Sequence, residues 1–567
     1  MKFRNIPVRR IITFGIVLAS IAYAAFYFNY FETPTGDYIG NIRGPVSEYM
    51  NGYFPGKNYK FLPLYPLLLS ILTRLNPVET ADPVYLTAMV LNIALYAPYI
   101  ILVLFIYRRF LSEKAAWAAL LFLSVNVYSI YMAINSELEM FLTFLILLSL
   151  SLTLRDSKLS FAAAFLTALI KWDSVFIVPA VMFRDFFYRK KRVIAVILGF
   201  LATSGVATWL LLSFINTRGH PYVSEIAHRG PNIYRFILDC FLVASGFVQW
   251  MAAHAWFSEK LYIKIILLGF IILPAIITVA GVVWGIILAW NRKRKEFAPI
   301  FIFFAGFLLI HMIYQNTKDR YVMPILWILT LFLFFGVTEG IAPRLKDAFT
   351  TLSPRSQSLL RALLMAITGI IYIISLGAIA RDNTAVHILF ALVFTALMAA
   401  VITYKNSEHG VISASLLALF CGVLINLSVY FGVQALDHHG LSRVEFKKVA
   451  LWYKDHAAPG DKMLISETNV PQYYSGFGED KYIISFLIRG NTISELIPEL
   501  AAKKATYVFV DDFYIRRLAI RDPNAIDRKA WIFREIRDKG EKTGHFKLIR
   551  TFHTKGGITS YLYKFIP

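Results

Sequence analysis

The sequence consists of long apolar blocks that short polar segments separate. Many windows of about 20 residues contain no charged side chain, and a helix of that length spans ~30 Å of hydrocarbon. The pattern predicts a polytopic α-helical membrane protein with about thirteen transmembrane helices. The predicted spans lie near residues 11–31, 84–107, 115–133, 139–154, 159–171, 174–188, 193–215, 262–290, 297–314, 322–341, 358–380, 385–403 and 410–436.

Basic clusters between the apolar blocks orient the chain. Under the positive-inside rule, Arg108-Arg109, Arg189 to Arg192 and Arg292 to Lys295 are cytoplasmic, as is the N-terminus. Residues 32–83 then form a long first outer loop. A crossing at 236–256 would move the Arg292 cluster outside, so we expect that segment to lie along the outer surface. The first apolar stretch, from Ile11 to Phe31, is long for the apolar region of a signal peptide and ends in aromatic residues, which favours a retained span over a signal peptide.

The C-terminal segment differs in composition from the apolar blocks before it. Residues 1–436 are the predicted transmembrane module, and residues 437–567 are a predicted extracytoplasmic α/β domain. Val444 to His456 has helical periodicity, and the β-rich runs Lys462–Ser466, Tyr482–Phe486 and Thr506–Val510 predict strands. No glycosylation sequon occurs in the predicted outer regions, which favours a prokaryotic plasma membrane.

Composition and charge support a membrane location and exclude some partners. Hydrophobic residues make up 57% of the chain and charged residues 17%, too apolar for an ordinary soluble protein of 567 residues. The net charge of +22 does not indicate nucleic-acid binding, because the basic residues stand in short loops between spans. They could also favour anionic membrane lipids. The two cysteines, Cys240 and Cys421, lie in apolar segments and suggest neither a disulfide framework nor a metal site.

Polar residues collect at the outer ends of the predicted spans. A charge at mid-bilayer costs ~3 kcal/mol or more, so charged groups that recur on one face are informative. Ser136 and Glu139 fit a Ser-x-x-Glu capping box, which leaves Glu137 as the freer carboxylate. Residues two apart on a helix face different sides, so we expect only one of these carboxylates in a site. Lys171 could instead snorkel to the interface, and Arg320-Tyr321 could be an interfacial anchor.

The order of these residues resembles the GT-C superfamily of membrane glycosyltransferases, in particular its protein O-mannosyltransferase and aminoarabinose-transferase branch. The residues that carry the resemblance are Asp37 in the first loop, the run Phe61-Leu62-Pro63-Leu64-Tyr65-Pro66-Leu67-Leu68, Glu137, Leu169-Ile170-Lys171, and Arg320-Tyr321 with Pro324. The pattern covers most of residues 11–341. Many members have Asp-Glu or Asp-x-Asp in the first loop, whereas Tyr38 and Ile39 follow Asp37 here. A divalent metal is therefore not indicated, and no other cofactor is expected.

The resemblance implies an enzyme that transfers a sugar from a polyprenyl-phosphate-linked donor at the outer membrane surface. The acceptor would be a hydroxyl of a lipid, a glycan or a protein. Asp37 would be the general base for an inverting transfer, and Lys171 and Arg320 would stabilise the departing phosphate. Glu137 would orient sugar hydroxyls or an acceptor cation. Tyr65, Glu48 and Tyr321 complete the predicted substrate-binding residues.

Two other functions fit a polytopic membrane protein. A transporter or lipid-linked glycan flippase would carry ionisable residues near the midplane, discontinuous helices and related halves. The sequence has no internal repeat, although Lys171 lies between two short predicted spans. A surface-polysaccharide polymerase or ligase would instead consume a diphosphate-linked oligosaccharide. The donor requirement and the presence of a covalent product separate these functions from the transferase.

Overall fold

The structure, a computed structural model of the chain, describes residues 7–28, 31, 33–53, 62–76, 82–217, 233–246, 261–313, 319–404, 411–441, 443–490, 492–511, 528–553 and 559–567. The chain folds into two compact units. The first consists of Met1–Phe28 and Pro45–Ala435, and the second consists of Asn29–Gly44 and Leu436–Pro567. The segment that carries Asp37 thus folds with the C-terminal residues.

Helices build the chain up to residue 441. The α-helices in this part are Val8–Phe26, Gly36–Tyr38, Gly44–Met50, Leu64–Leu75, Pro83–Phe110, Glu113–Val125, Val127–Ile134, Glu139–Leu154, Leu159–Ala168, Ile177–Phe183, Arg192–Thr217, Ile233–Ser245, Leu261–Ile313, Leu326–Gly336, Ala342–Thr350, Pro354–Asp382, Ala385–Thr403 and Val411–Leu441. Tighter or wider helical turns join them at Ile39–Arg43, Trp172–Phe176, Arg184–Tyr188, Asp319–Tyr321, Met323–Ile325 and Val337–Ile341.

The length and composition of these helices make the chain an integral membrane protein. Among the described residues, eight helices are long and apolar enough to cross a membrane. A ninth candidate is the pair Glu113–Val125 and Val127–Ile134, which bends by 62°. The predicted fold class is confirmed. The sequence prediction of about thirteen spans also counted short apolar helices such as Glu139–Leu154 and Leu159–Ala168. It divided Leu261–Ile313 in two, and the backbone does leave helical geometry at Lys293.

Local side chains determine where several helices begin. Asp82 accepts a hydrogen bond from the main-chain N–H of Tyr85 at 3.0 Å, and Pro83 occupies the first helical position. Asn126 ends one helix and caps the next by accepting from the N–H of Tyr128 at 3.0 Å. Its amide group also donates to the main-chain oxygen of Val243 at 3.0 Å. Asn126 therefore fixes the bend between the paired helices and ties it to a third helix.

The first predicted outer loop contains helices of its own. Helix Leu64–Leu75 begins directly after Pro63 and buries Tyr65 on one face. Arg74 near its end donates to the main-chain oxygens of Tyr49 and Met50 at 3.1 and 2.5 Å. This contact joins it to the helix that carries Glu48. Phe61, Lys57 and Lys60 lie outside the described residues.

Glycines allow close packing between Leu261–Ile313 and Leu326–Gly336. Gly281 and Gly285 are four residues apart, the spacing of small residues that brings membrane helices together. A Cβ atom on Gly285 would collide with the main-chain oxygen of Phe332, and one on Gly336 would collide with that of Gly281. Leu326–Gly336 follows directly on the turns that carry Arg320 and Tyr321. The glycine contact thus helps to set the position of those residues.

A five-stranded sheet forms the centre of the second unit. The strands are β1 Met463–Ile465, β2 Tyr482–Ile484, β3 Tyr507–Val510, β4 Phe546–His553 and β5 Thr559–Phe565, in the order β2-β1-β3-β5-β4. β1 is parallel to β2 and β3, whereas β5 is antiparallel to β3 and β4. The predicted runs at 462–466, 482–486 and 506–510 contain β1, β2 and β3. The sequence analysis did not predict the hairpin of β4 and β5.

Helices cover both faces of this sheet. Helix Val444–His456 has the predicted bounds and packs Phe446, Val449 and Tyr453 against Met463, Ile465 and Phe509. Alternate strand residues point to the other face. There they pack against Phe533 and Ile536 of helix Arg528–Lys539 and against helix Ile493–Ala502. The helix Asn469–Ser475 follows β1. The small C-terminal α/β fold is confirmed.

A buried carboxyl group stands at the start of helix Val444–His456. Glu445 is 0% exposed, and it interacts with Asp511, a residue that is 1% exposed at the end of β3. Burial raises the pKa of Glu445 well above its usual range, and the neighbouring Asp511 carboxyl adds to that shift. Arg443 opposes it in part. The folded unit therefore favours a neutral Glu445 side chain.

We expect Gly336→Ala to lower the free energy of unfolding by about 1–3 kcal/mol, because the added methyl group has no space beside the Gly281 main chain. The measurement is the thermal unfolding midpoint of the purified protein in detergent. Gly377→Ala is the matched control, since a Cβ there meets nothing within 4 Å. Equal midpoints for the two variants would contradict the proposed close approach.

We expect Glu445→Gln to stabilise the second unit increasingly as the pH rises above ~4.3, the pKa of an unperturbed glutamate, and to have little effect below it. The raised pKa means that the folded unit keeps a proton that the unfolded chain releases above pH ~4.3. The contribution of Glu445 to stability is therefore present at low pH and is lost as pH rises toward its folded pKa. Hydrogen exchange of helix Val444–His456, compared between variant and wild type at each pH, measures this. Stabilisation of the second unit by Glu445→Gln only at low pH would contradict the predicted direction of the pKa shift.

Candidate functional site

Charged and polar side chains from separate segments of the first unit meet in one buried group. We call this group the polar cluster, and its members are Glu137, Glu139, Lys171, Asp173, His311, Arg320 and Tyr321. Ion pairs connect Arg320 to Glu137 at 3.1 Å and Lys171 to Asp173 at 2.9 Å. The cluster therefore brings together four residues that the sequence predicted as substrate-binding: Glu137, Lys171, Arg320 and Tyr321.

Hydrogen bonds to the main chain hold the segment that carries Glu137. The amide of Asn92 donates to the main-chain oxygens of Asn135 and Glu137 at 2.5 and 2.7 Å. The hydroxyl of Tyr65 lies 3.2 Å from the main-chain oxygen of Ser136 and 3.3 Å from that of Glu137. Both Asn92 and Tyr65 are 0% exposed. Tyr65, which was predicted to bind substrate, thus helps to hold the main chain at Glu137 in position.

The predicted capping box at Ser136 and Glu139 is wrong. Helix Glu139–Leu154 follows Leu138 as its cap residue, with no side-chain hydrogen bond to its first turn. The Ser136 hydroxyl has no hydrogen-bond partner among the described residues. Glu137 precedes the helix, so the helical rule for residues two apart does not apply. Both carboxylates are buried, and Glu139 interacts electrostatically with Glu137, Lys171 and Arg320.

Lys171 belongs to a second ion pair that also includes a histidine. Asp173 Oδ2 lies 2.9 Å from Lys171 Nζ and 3.2 Å from His311 Nε2. Asp173 and His311 are each 3% exposed. One apolar helix, Leu159–Ala168, ends at this point, and the next, Ile177–Phe183, begins shortly after it. The short turn between them brings Lys171 and Asp173 together. The charged partners show that Lys171 is not simply a snorkelling side chain.

The hydrogen-bond geometry of His311 constrains its charge. Its Nδ1 atom lies 2.9 Å from the main-chain oxygen of Phe307, and its Nε2 atom faces Asp173. A carbonyl oxygen and a carboxylate both accept hydrogen bonds, so a histidine that serves both donates from both nitrogens and is positively charged. A protonated Asp173 beside a neutral imidazole is the other assignment. The ring is stacked on Phe236 and Phe307, with centroids 5.2 and 4.3 Å away.

The two cations of the cluster lie on the same aromatic ring. Lys171 Nζ is 4.7 Å from the centroid of Tyr321, and the Arg320 guanidinium carbon is 5.1 Å from it. The side chains of Lys171 and Arg320 are each 16% exposed, whereas those of Asp173 and Glu137 are 4% and 5% exposed. The side chains of the two cations are thus slightly more exposed than those of their carboxylate partners, although the Lys171 Nζ atom itself is buried.

Asp37 and Glu48 have other surroundings. Asp37 belongs to the second unit, in the helical turn Gly36–Tyr38, where Asn41 Nδ2 donates to its Oδ1 atom at 3.3 Å. Glu48 lies in helix Gly44–Met50 of the chain, and its Oε2 atom is buried without a hydrogen-bond partner among the described residues. The roles of Asp37 and Glu48 stay predictions. Residues 314–318, which precede Arg320, lie outside the described residues.

The sequence analysis missed Asn92, Asp173 and His311 as members or supports of the site. The sequence did not predict the ion pair between Asp173 and Lys171, which stand two residues apart. His311 lies at the end of an apolar helix, where a single histidine has no distinctive spacing. Asn92 is a buried amide inside helix Pro83–Phe110, and a rare polar residue inside a span is itself a signal.

Within the described residues, no three histidine, cysteine, aspartate or glutamate side chains are arranged to hold a metal ion. In the cluster, the Asp173 and Glu137 carboxylates are engaged in ion pairs with Lys171 and Arg320. Its chemistry is that of paired charges in an apolar surrounding, where electrostatic interactions are stronger than in water.

We expect Asp173→Asn to lower the free energy of unfolding by about 3 kcal/mol, because it removes the carboxylate that forms the ion pair with the buried Lys171 Nζ atom. Adding Lys171→Met should recover part of this loss. The control is Asp156→Asn, whose side chain is 45% exposed in its pair with Arg184 and should cost at most about 1 kcal/mol. Chemical unfolding in detergent gives these values. Additive losses in the double variant would refute the pairing.

No protein-family model and no curated protein matches the chain. Solved structures do match it. ArnT from Cupriavidus metallidurans bound to undecaprenyl phosphate is 12% identical, with a TM-score of 0.49, and the match covers 97% of each chain. The archaeal oligosaccharyltransferase AglB from Archaeoglobus fulgidus is 11% identical, with a TM-score of 0.45, over 96% of this chain and 74% of that one.

Arabinosyltransferase EmbB from Mycobacterium smegmatis is a third similar structure. It is 13% identical, with a TM-score of 0.38, over 77% of this chain and 42% of that one. These neighbours are GT-C glycosyltransferases, the superfamily that the sequence motifs resemble. Because the identities are low and the TM-scores lie below 0.5, the activity of this chain has to be inferred from its own residues.

Proposed function

We propose that the chain is a GT-C-type glycosyltransferase that moves a sugar from a polyprenyl-phosphate-linked donor to an acceptor hydroxyl with inversion. The observation that carries the proposal is the pair of cations on the Tyr321 ring. Lys171 and Arg320 share that ring, and each is paired with a carboxylate of the cluster. This arrangement suits a phosphate group, to which Arg offers a planar fork and Lys a point charge.

Exchange of ion-pair partners would let the site bind an anion without burying a free charge. In the unliganded cluster, Glu137 and Asp173 satisfy the two cations. A bound phosphate would share Arg320 and Lys171 with these carboxylates. His311, if it carries a positive charge, offsets part of the negative charge that the phosphate adds. Glu137 would then be available to a sugar hydroxyl or to a cationic acceptor.

The proposed reaction needs a base and a stabilised leaving group. The acceptor hydroxyl gives its proton to the Asp37 carboxylate as its oxygen forms a bond to the anomeric carbon. The bond between that carbon and the phosphate oxygen breaks, and the electron pair stays on the phosphate. Lys171 and Arg320 stabilise the charge that develops there. A phosphate leaves as an anion, so the reaction does not require the acid catalyst that a glycosidase uses.

The setting of the reaction is part of the proposal. A polyprenyl tail is apolar, and a protein whose helices cross the membrane can bind it from the bilayer. The basic loops support an orientation in which the polar loops of residues 1–436 face outward, and residues 437–567 would then form an extracytoplasmic domain. The acceptor would be a glycan, a lipid or a protein. A prokaryotic plasma membrane is the proposed location.

One observation favours a transporter or lipid-linked glycan flippase as a second candidate. His311 and Asp173 form a buried ionisable pair inside a helical bundle, an arrangement that also suits proton relays in transport proteins. Flipping of a fluorescent polyprenyl-phosphate sugar in liposomes, without covalent product, would support that function. Transfer only from a diphosphate-linked oligosaccharide would support a polymerase or ligase.

We expect the purified protein to transfer sugar from at least one member of a panel of labelled polyprenyl-phosphate sugars. Asp37→Asn should lower kcat by about 10²–10⁴-fold, the usual contribution of a general base, and leave the KM for donor nearly unchanged. Lys171→Gln should weaken binding of undecaprenyl phosphate, because it removes one of the two cations that lie on the Tyr321 ring. Product formation and binding of undecaprenyl phosphate are measured on the same preparations.

Asp347→Asn is the control for these variants, since Asp347 is an exposed carboxylate of helix Ala342–Thr350. It should transfer sugar at the wild-type rate. Wild-type activity in Asp37→Asn would remove the proposed base. Unchanged undecaprenyl phosphate binding by Lys171→Gln would remove the proposed phosphate site.

A further inference from the structure

The segment that carries Asp37 is attached to residues near the first strand of the second unit. The main-chain oxygen of Gly36, the residue before Asp37, accepts a hydrogen bond from Asn469 Nδ2 at 3.3 Å. A Cβ atom on Gly36 would lie 2.5 Å from Glu467 Oε1, so that glycine lets the backbone lie directly against Glu467. Arg443 pairs with the other oxygen of Glu467 at 3.5 Å and holds that carboxylate in place.

The residues that follow Asp37 are fixed to the same unit. Tyr38 is 0% exposed, and Ile39 packs against the apolar cluster around Phe446 and Val470. The guanidinium of Arg43 lies over the ring of Tyr473, 4.8 Å from its centroid. Residues before and after Asp37 in the sequence therefore contact helix Asn469–Ser475.

The local backbone around Asp37 is also constrained. Thr35 Oγ1 accepts from the main-chain N–H of Tyr38 at 3.1 Å and caps the helical turn. Asn41 Nδ2 donates to Asp37 Oδ1 one turn later. Gly36 and Tyr38 are buried, whereas Asp37 between them is only half-buried. The segment thus keeps its backbone inside the unit and leaves one carboxylate side chain accessible.

We propose that Asn469, with Glu467 and Tyr473, forms a platform that positions the Asp37 carboxylate for proton transfer. We call these three residues the platform. The inference rests on the proposed function, in which Asp37 is the base. It gives the C-terminal unit a role in the reaction, since the base is held by residues more than 400 positions later in the chain. Asn469 bonds to the Gly36 main chain, and it acts on the reaction through Asp37.

The effect of losing the platform follows from the geometry that a general base needs. The base must lie within hydrogen-bond reach of the proton that it removes. A displacement of ~1 Å can cost about 10²-fold in rate. Removal of one donor to the Gly36 oxygen loosens the segment and does not change the chemical groups that bind the phosphate. The loss should therefore appear in kcat and not in donor binding.

The test compares Asn469 variants in the full-length protein. Asn469→Ala and Asn469→Asp both lose the donated hydrogen bond and should lower kcat about 10- to 100-fold with little change in the KM for donor. Asn469→Gln keeps an amide donor and should retain more activity than either. Lys454→Gln, an exposed substitution on helix Val444–His456 of the same unit, should leave kcat unchanged.

A double variant separates positioning from general damage to the fold. If Asn469 acts through Asp37, Asn469→Ala should cause no further loss in the Asp37→Asn background. Hydrogen exchange should rise in residues 33–44 of Asn469→Ala while exchange in the helices of the first unit stays unchanged. Asp37→Asn alone should leave exchange in residues 33–44 near the wild-type level, apart from the Asn41 contact.

The outcomes distinguish this inference from the proposed function. Loss of transfer in Asp37→Asn with wild-type kcat in Asn469→Ala would overturn the platform and leave the function standing. Unchanged exchange in residues 33–44 of Asn469→Ala would also overturn it, whatever the activity. Wild-type transfer by Asp37→Asn would overturn the base and the platform together. Equal further losses in both backgrounds would show that Asn469 acts on the fold and not through Asp37.

Discussion

The first unit depends on keeping charged side chains paired inside an apolar helical bundle. Several kcal/mol are needed to remove a single ion from water, and the penalty is met only when a counter-ion and hydrogen bonds replace the lost hydration. Glu137 with Arg320, and Asp173 with Lys171 and His311, satisfy this requirement. The pairing also fixes the ends of the helices near these residues. The same side chains therefore form the candidate site and stabilise the fold.

Apolar blocks and turn residues were enough to predict the fold class. The long spans and the bounds of helix Val444–His456 both follow from the local sequence pattern. The hairpin of β4 and β5 did not, because β4 leaves several residues only partly buried and its apolar alternation is weak. The capping box failed for a similar reason: Ser136 and Glu139 have the right spacing, but tertiary contacts from Asn92 and Tyr65 hold that segment outside the helix.

The site could be predicted only in part. Glu137, Lys171 and Arg320 were found because charged residues at span ends are rare enough to stand out. Asp173 and His311 complete the cluster through distances in space that no spacing along the sequence encodes. The unit to which Asp37 belongs could not be predicted from the sequence either. The position of Asp37 in the chain suggests the transmembrane module, yet its contacts belong to the second unit, and only a tertiary structure could reveal that.

The hydrogen bond between Gly36 and Asn469 joins residues 433 positions apart. A ribosome that adds ~5–20 residues per second needs roughly 20 to 90 s to synthesise the chain between them. During that time the N-terminal segment has emerged without the partner that it packs against. Completion of the second unit is therefore a late event in biosynthesis. A nascent chain with all its membrane helices inserted would still lack a fixed Asp37 until the final domain had been made.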